Sequence, residues 1–179
     1  KKYFSDFLPN LNQIPICFVA LGSYGREELC VYSDIDIMIL YKNIPAYNAE
    51  KIIENFVSFA WDCGLNLGLR VVNIEELDKI SLDDITIKTS FLESRFIFGS
   101  KILYTSYEES LEKIRVEDKR IFLQAKLFER KDRLLKYPLS MQVNLKDGYG
   151  GIREANMLWW IANVIYGVKK TKDLIGKKF

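Results

Sequence analysis

Asp34 and Asp36 stand two residues apart in Ser33-Asp-Ile-Asp-Ile-Met-Ile-Leu40, a run that is otherwise apolar after its serine. In an extended strand, residues i and i+2 project from one face, so both carboxylates point one way and Ile35, Ile37 and Ile39 the other. Two adjacent carboxylates keep their charges at low cost only when something positive lies between them. A pair of hard oxygen ligands suits a divalent ion, typically Mg²⁺ (or Mn²⁺) carrying the phosphates of a nucleotide. Upstream, Gly22-Ser23-Tyr24-Gly25 follows an apolar run at 16–21. The N–H groups of such a turn, opening a helix, can cradle a phosphate, with Ser23 adding a hydroxyl and Arg26 a charge. A Gly-Ser-x-Gly turn alone is most often only a turn. Coupled to Ser-Asp-x-Asp it points to nucleotidyl transfer, one half holding the triphosphate and the other the metal.

Two further stretches carry chemistry-bearing side chains. Asn66, Gly68 and Arg70 form the polar side of an alternating run at 65–72, opposite Leu65, Leu67, Leu69 and Val71. That face is either part of the metal site or simply an exposed strand face. A third carboxylate there would complete a metal-binding trio, and the chain supplies the neutral amide of Asn66. Farther on, Lys146, the glycine-rich loop before residue 152, and Arg153 surround a helix start. This is either a second phosphate-contacting device or a plain helix connection. Lys126, Arg130, Lys131, Arg133 and Lys136 are expected to form a solvated helix face, and the Trp159-Trp160 pair to lie in a core.

Composition narrows the chemistry. The chain has 179 residues and no histidine, so Cys/His zinc sites and histidine-based acid–base catalysis are excluded. Cys17, Cys30 and Cys63 lack metal-ligand spacing and are expected to be small buried residues. With 26 Lys plus Arg against 24 Asp plus Glu, the balance disfavours a general nucleic-acid binder. No apolar run approaches the ~20 residues of a membrane span, and residues 1–15 lack a signal-peptide pattern, so a cytoplasmic location is the default.

The elements that must position these residues follow from periodicity. Strands are expected at 16–21, 35–41 and 65–72, with a short helix at 26–29 and an amphipathic helix at 46–62 stopped by Gly64. A short helix near 74–80 and a longer one at 83–98, ended by Gly99, come next. Residues 107–137 read as one long helix or two shorter ones, and 152–166 as a helix closed by Gly167. Residues 1–104 are expected to form the catalytic domain. Residues 105–179 should form a helical segment packing on its site, the whole being a piece of a longer protein.

Gly22-Ser23 followed by Asp34-x-Asp36 resembles the signature of the DNA polymerase β-like nucleotidyltransferase superfamily. Four ordered blocks are similar, more narrowly, to the N-terminal domain of bacterial uridylyltransferases that modify the PII signal protein. They are 20–29 with 33–36; 61–68; Asp84-Ile-Thr with Leu92-Glu-Ser-Arg95; and Asn144-Leu-Lys146 with Gly150-Gly-Ile-Arg153 and Trp160-Ile-Ala162. The resemblance implies an α+β fold with a mixed central sheet, flanking helices and a following helical segment. It implies transfer of UMP from UTP to a tyrosine hydroxyl of PII, releasing pyrophosphate. Asp34 and Asp36 map to the metal ligands; Gly22, Ser23 and Arg26 map to the nucleotide loop, with Ser33 beside it, and Lys146 and Arg153 match later family positions. The chain departs from the family pattern at Ser23, Glu27, Asn66 and Glu154, where glycine, glycine, a carboxylate and aspartate are usual. The family's His-Asp hydrolase domain needs histidine, so uridylyl removal is not expected of this chain. Alternatives are a nucleotide-binding regulatory module whose turnover is lost through Asn66, or transfer to another protein, a small molecule or an RNA end.

Overall fold

A computed structural model describes residues 14–45, 48–77, 85–116, 118–137, 143–168, 173 and 175–176. The chain divides into two units, Lys1–Glu112 and Lys113–Phe179.

The first unit is built on a four-stranded mixed sheet. Strand β1 (Ile16–Ala20) is buried at every position, as an unbroken apolar run requires of a strand covered on both faces. It pairs antiparallel with β2 (Ile35–Tyr41) on one side and with β4 (Arg95–Gly99) on the other. Strand β3 (Leu67–Asn73) adds to β2 in parallel. Parallel neighbours need a crossover, supplied here by a helix, Ala49–Asp62. The short helix Gly22–Gly25 between β1 and β2 is α1, and the crossover is α2. Asn48 caps α2 by accepting a hydrogen bond from Lys51 N–H at 3.0 Å, and Gly64 just beyond has φ +71°.

One face of the sheet is the core under α2. Ile16, Phe18, Ile37, Ile39, Ala49 and Ile53 are buried there, with Ile35, Leu67 and Leu69 packed against them. The alternation of β2 and β3 therefore puts Asp36, Gly68 and Arg70 on the opposite face. That face turns apolar deeper in the sheet, where Met38, Leu40 and Val72 are buried. The α+β architecture with a mixed sheet and flanking helices is the one the sequence implied.

Three local expectations are corrected. The short helix is not at 26–29; it is Gly22–Gly25 itself, with Arg26 as its C-cap. The helix expected at 83–98 is helix α3 (Ile85–Leu92) followed by strand β4; residues 83 and 84 lie outside the described residues. An apolar run reads equally as helix or strand, and Phe96, Ile97 and Phe98 favour the strand. Of the helix near 74–80, a 3₁₀ turn at Ile74–Glu76 is described, and 78–80 lie outside the described residues. Cys17 alone of the cysteines is buried, which pushes its thiol up to about 12, whereas Cys30 and Cys63 are exposed.

Helix α4 (Lys101–Val116) contains the division between the units. In the second unit, α5 (Lys119–Lys136) lies antiparallel to α6 (Ile152–Tyr166). Lys119 Nζ donates to Ile165 O at 3.3 Å, Lys126 Nζ stands 5.0 Å over the Trp160 ring, and Arg130 Nε meets Glu154 Oε1 at 2.5 Å. Of the two forms open for 107–137, the two-helix one is found; Asp118, with φ +50°, marks the break. The basic face of α5 is only partly solvated. Lys131 and Lys136 are exposed, but Lys126 and Arg133 are buried, because a long aliphatic stem can line a helix interface beside an aromatic ring and an acidic partner. Trp160 is core and Trp159 half-buried.

Candidate active site

The register brings one end of every strand of the first unit to the same sheet edge. Ala20, the last residue of β1, pairs with Ile37 of β2 and with Arg95, the first residue of β4. Asp36 pairs with Gly68, near the start of β3. The turn after β1 and the openings of the other three strands thus converge, and the polar residues of the motifs lie at this edge.

Asp36 is the centre of that edge. A Cβ added to Gly22 would stand 3.0 Å from Asp36 Oδ2, and one added to Gly68 would stand 2.2 Å from Oδ1. Each carboxylate oxygen therefore lies in a space that exists because its neighbour is glycine. Gly22 is doubly required, since its φ of +54° is left-handed. Leu21 N–H donates to Asp36 O at 3.0 Å, tying the turn to β2.

Asp34 is exposed and Asp36 half-buried. Burial first, and the charge of Asp34 second, raise the pKa of Asp36 above the usual carboxylate range. Among the described residues neither aspartate has an ion-pair partner. An amide, not a cation, meets this pair: Asn66 Nδ2 donates to Asp34 Oδ1 at 2.5 Å. Asn66 is held in place as its main-chain carbonyl accepts from Ile35 N–H at 3.0 Å. Two hard oxygen donors that repel each other, in a cradle a Cβ would fill, fit a divalent cation. Arg70 lies on the same face, two residues beyond Gly68.

The turn itself is built to leave donors open. Leu21, the N-cap of α1, makes no side-chain cap, and among the described residues the N–H groups of Gly22, Ser23 and Tyr24 have no acceptor. First-turn N–H groups left open in this way, beside the half-buried hydroxyl of Ser23, suit an anion. Ser33 closes the loop before β2: its N–H donates to Cys30 O at 3.0 Å and its Oγ accepts from Cys30 N–H at 3.3 Å.

Arg26, which the resemblance mapped to the nucleotide loop, is engaged by two acids. Its Nη1 donates to Glu93 Oε1 at 2.5 Å and its Nε to Glu28 Oε2 at 2.8 Å. It acts within the turn as a brace to the buried Glu93. Arg95 braces the other side: Nη2 donates to Tyr24 O at 2.9 Å, Nε to Gly25 O at 3.3 Å, and the guanidinium lies 5.3 Å from the Tyr24 ring centre. Gly25 permits this assembly, because a Cβ there would overlap the Glu93 carbonyl. Glu93 and Arg95 are positioning residues that motif reading did not assign. The signal for them was the Leu92-Glu-Ser-Arg95 block, whose role becomes visible once β4 lies beside β1.

Lys146 and Arg153 belong to the second unit. Asn144 Oδ1 accepts from Lys146 N–H at 3.0 Å and from Asp147 N–H at 2.8 Å. The N–H groups of Ile152 and Arg153, which open α6, donate to Leu145 O and Lys146 O at 2.9 and 3.0 Å. These helix-start donors are taken up by the loop. Arg153 Nε meets Asp147 Oδ1 at 3.0 Å, while the Lys146 side chain is exposed. Glu154 accepts from Gly150 N–H at 2.8 Å; that bond leads its partners Arg130 and Arg133 in holding its carboxyl below the usual range, against its desolvation.

Comparison with known proteins covers both units. The family GlnD PII-uridylyltransferase matches residues 121–179, and the nucleotidyltransferase family DUF294 matches residues 5–69. A bifunctional uridylyltransferase/uridylyl-removing enzyme of Azospirillum brasilense is 40% identical over 166 residues, 89% of this chain and 18% of that protein. Proteins of the same description from Pasteurella multocida and Burkholderia thailandensis are 32% and 36% identical over 92% and 82% of the chain, and over 19% and 17% of their own lengths. The chain thus spans about a fifth of the length of these relatives. The likeness to nucleotidyltransferases and to PII uridylyltransferases, carried in the sequence by four motif blocks, extends over most of the chain.

Proposed function

We propose that this chain is the nucleotidyltransferase part of a PII-type uridylyltransferase. It would transfer UMP from UTP to a hydroxyl of a PII-type signal protein in the cytoplasm and release pyrophosphate. One observation carries the reading: the Asp36 carboxylate lies between Gly22 of the nucleotide turn and Gly68 of β3, with Asp34 beside it. The likeness to uridylyltransferases supplies the substrate class.

In this reading the open N–H groups of Gly22, Ser23 and Tyr24 and the Ser23 hydroxyl receive the phosphates. Asp34 and Asp36 would hold Mg²⁺ or Mn²⁺, which supplies positive charge for the pyrophosphate leaving group. Arg26, through Glu93, and Arg95, through the Tyr24 and Gly25 carbonyls, keep the turn in the shape that presents those donors. Ser33 orients the approach to Asp34. Lys146 and Arg153 are assigned to nucleotide contact on the resemblance alone.

The test is incubation with UTP, Mg²⁺ and a PII-type protein. Transfer of UMP with equimolar pyrophosphate is expected, and its loss in Asp34→Asn and Asp36→Asn proteins that retain their unfolding transition. Full activity in either variant would remove these residues from the site. Asn66 also favours a second reading, a regulatory module that binds nucleotide without turnover. Its signature is UTP binding with no pyrophosphate release under conditions where Asn66→Asp restores release.

A further inference from the structure

We propose that Asn66 limits this site to one divalent cation, held by Asp34 and Asp36, by engaging the Asp34 oxygen that a second ion would need. The inference rests on the nucleotidyltransferase reading above and deepens it.

Three features of the strand openings support it. The first is the direction of the amide. Asn66 turns an N–H toward Asp34 Oδ1, at 2.5 Å, so the side of that oxygen facing β3 meets a partial positive charge rather than a second donor atom. A cation seated there would have to expel the N–H or sit against it. The second is that the contact is built into the sheet. Asn66 O accepts from Ile35 N–H, and the parallel ladder from Ile35–Leu67 onward keeps residue 66 beside residue 34. The third is charge. A second cation requires enough carboxylate to offset it, and the edge supplies two acidic side chains and a neutral amide. Arg70 adds a positive charge on the same face, one strand repeat of about 7 Å beyond Gly68. By contrast, the space between Asp34 and Asp36 has two mutually repelling carboxylates. One ion suits that arrangement, and two do not.

The consequence is a division of labour. A single ion placed by Asp34 and Asp36 can accompany the triphosphate. The incoming hydroxyl then has no second ion to sharpen it, and Asn66, a neutral amide, cannot take its proton. Asn66 is thus a positioning residue: it orients Asp34 and sets the ion count.

The count is measurable without turnover. Mn²⁺ bound per chain is determined by electron paramagnetic resonance and calorimetry, with saturating non-transferable UTP analogue, for the wild-type protein, Asn66→Asp and Asn66→Glu. Thermal unfolding is recorded for each, and the second variant covers failure of the first to fold. One magnetically isolated Mn²⁺ is expected in the wild type, and two, with a dipolar-coupled spectrum, in a variant that restores the carboxylate. A coupled pair in the wild type overturns the proposal, as does a single ion in both folded variants. Absence of any Mn²⁺ from the wild type with nucleotide overturns the nucleotidyltransferase reading itself, which separates the two failures.

Discussion

Gly68→Ala tests the carboxylate cradle with one added carbon. The new Cβ would lie 2.2 Å from Asp36 Oδ1 and 3.3 Å from its Cγ, whereas ordinary contact begins near 3.4 Å, so the oxygen must retreat by about 1.2 Å. Gly68 does not have a left-handed φ, so alanine brings no backbone strain of its own. Alanine also loses less chain entropy on folding, worth about 0.5–1 kcal/mol in a strand. Asp36 is half-buried and can swing toward the open edge. The two effects oppose, and the net change in stability should stay within about 1 kcal/mol. Function has no such tolerance. Mg²⁺ holds oxygen ligands at about 2.0–2.1 Å, so a shift of that size removes the ligand. A misplacement of about 1 Å lowers a rate roughly a hundredfold.

The assay pairs calorimetric titration of Mn²⁺ with UTP against thermal unfolding, on Gly68→Ala, Asp36→Ala and the double variant. Gly68→Ala should unfold near the wild-type temperature and lose most of its Mn²⁺·UTP affinity. In the Asp36→Ala background the same alanine meets no carboxylate and should stabilise the protein by about 0.5–1 kcal/mol, a non-additivity that reports the contact. A folded Gly68→Ala protein that binds Mn²⁺·UTP as the wild type does would falsify the assignment of Asp36 as a ligand.

Asp36→Asn should stabilise the protein when metal is chelated, increasingly so as pH rises. Burial and Asp34 raise the folded-state pKa of Asp36, so its contribution favours the fold below the unfolded carboxylate pKa and turns against it as pH climbs through the folded value; calorimetry from about pH 4 to pH 7 should show the difference widening, and saturating Mn²⁺ should narrow it by stabilising the wild type alone. Glu27→Gly should stabilise by about 1 kcal/mol, because Glu27 holds φ +65°, a left-handed conformation costly for a side chain, and the pair it gives up with Arg95, at 3.6 Å, is exposed and weak; the melting temperature should rise by about 2–4 °C, and no rise would mean that this pair offsets the strain. Glu93→Gln should destabilise by about 2 kcal/mol: it removes the charge from a carboxylate 4% exposed that braces Arg26, but Arg26 keeps Glu28 at 2.8 Å. Its UTP affinity should fall further than unfolding at the assay temperature explains.

The central strands were legible because their periodicity is unambiguous. β2 falls at Ile35–Tyr41 as expected, α6 at Ile152–Tyr166, and the alternation at 65–72 assigned Asn66, Gly68 and Arg70 to one face. β4 was not legible. Ile85 to Phe98 is one apolar-rich stretch, and its break at Glu93-Ser94 is enforced by tertiary partners: Glu93 meets Arg26 and Arg95 reaches the α1 carbonyls. Spacing carries no trace of partners that are about seventy residues away. The same limit hid one of the acids that hold Arg26, since Glu93 lies 67 residues away in sequence. Lys126 and Arg133 were misread for a related reason, since charge alone suggested solvent and only the facing helix supplied Trp160 and Glu154.

These corrections bear on what the sheet edge is for. Residues of opposite charge there are sorted by depth and by element. Arg26 and Arg95 are both committed to the turn, the first through Glu93 and the second through backbone carbonyls, and neither is paired with Asp34 or Asp36. Had either arginine faced the aspartates, an internal ion pair would have satisfied them and left little room for a cation. The fold instead uses these two arginines to rigidify the turn and leaves both carboxylates without an ion-pair partner among the described residues. It even removes side chains at Gly22 and Gly68 to let Asp36 lie between them. An arrangement that raises the proton affinity of an aspartate without a stabilising partner is unfavourable for folding alone. Its place beside the open N–H groups of the turn is best explained by a charged ligand that supplies the missing compensation on binding.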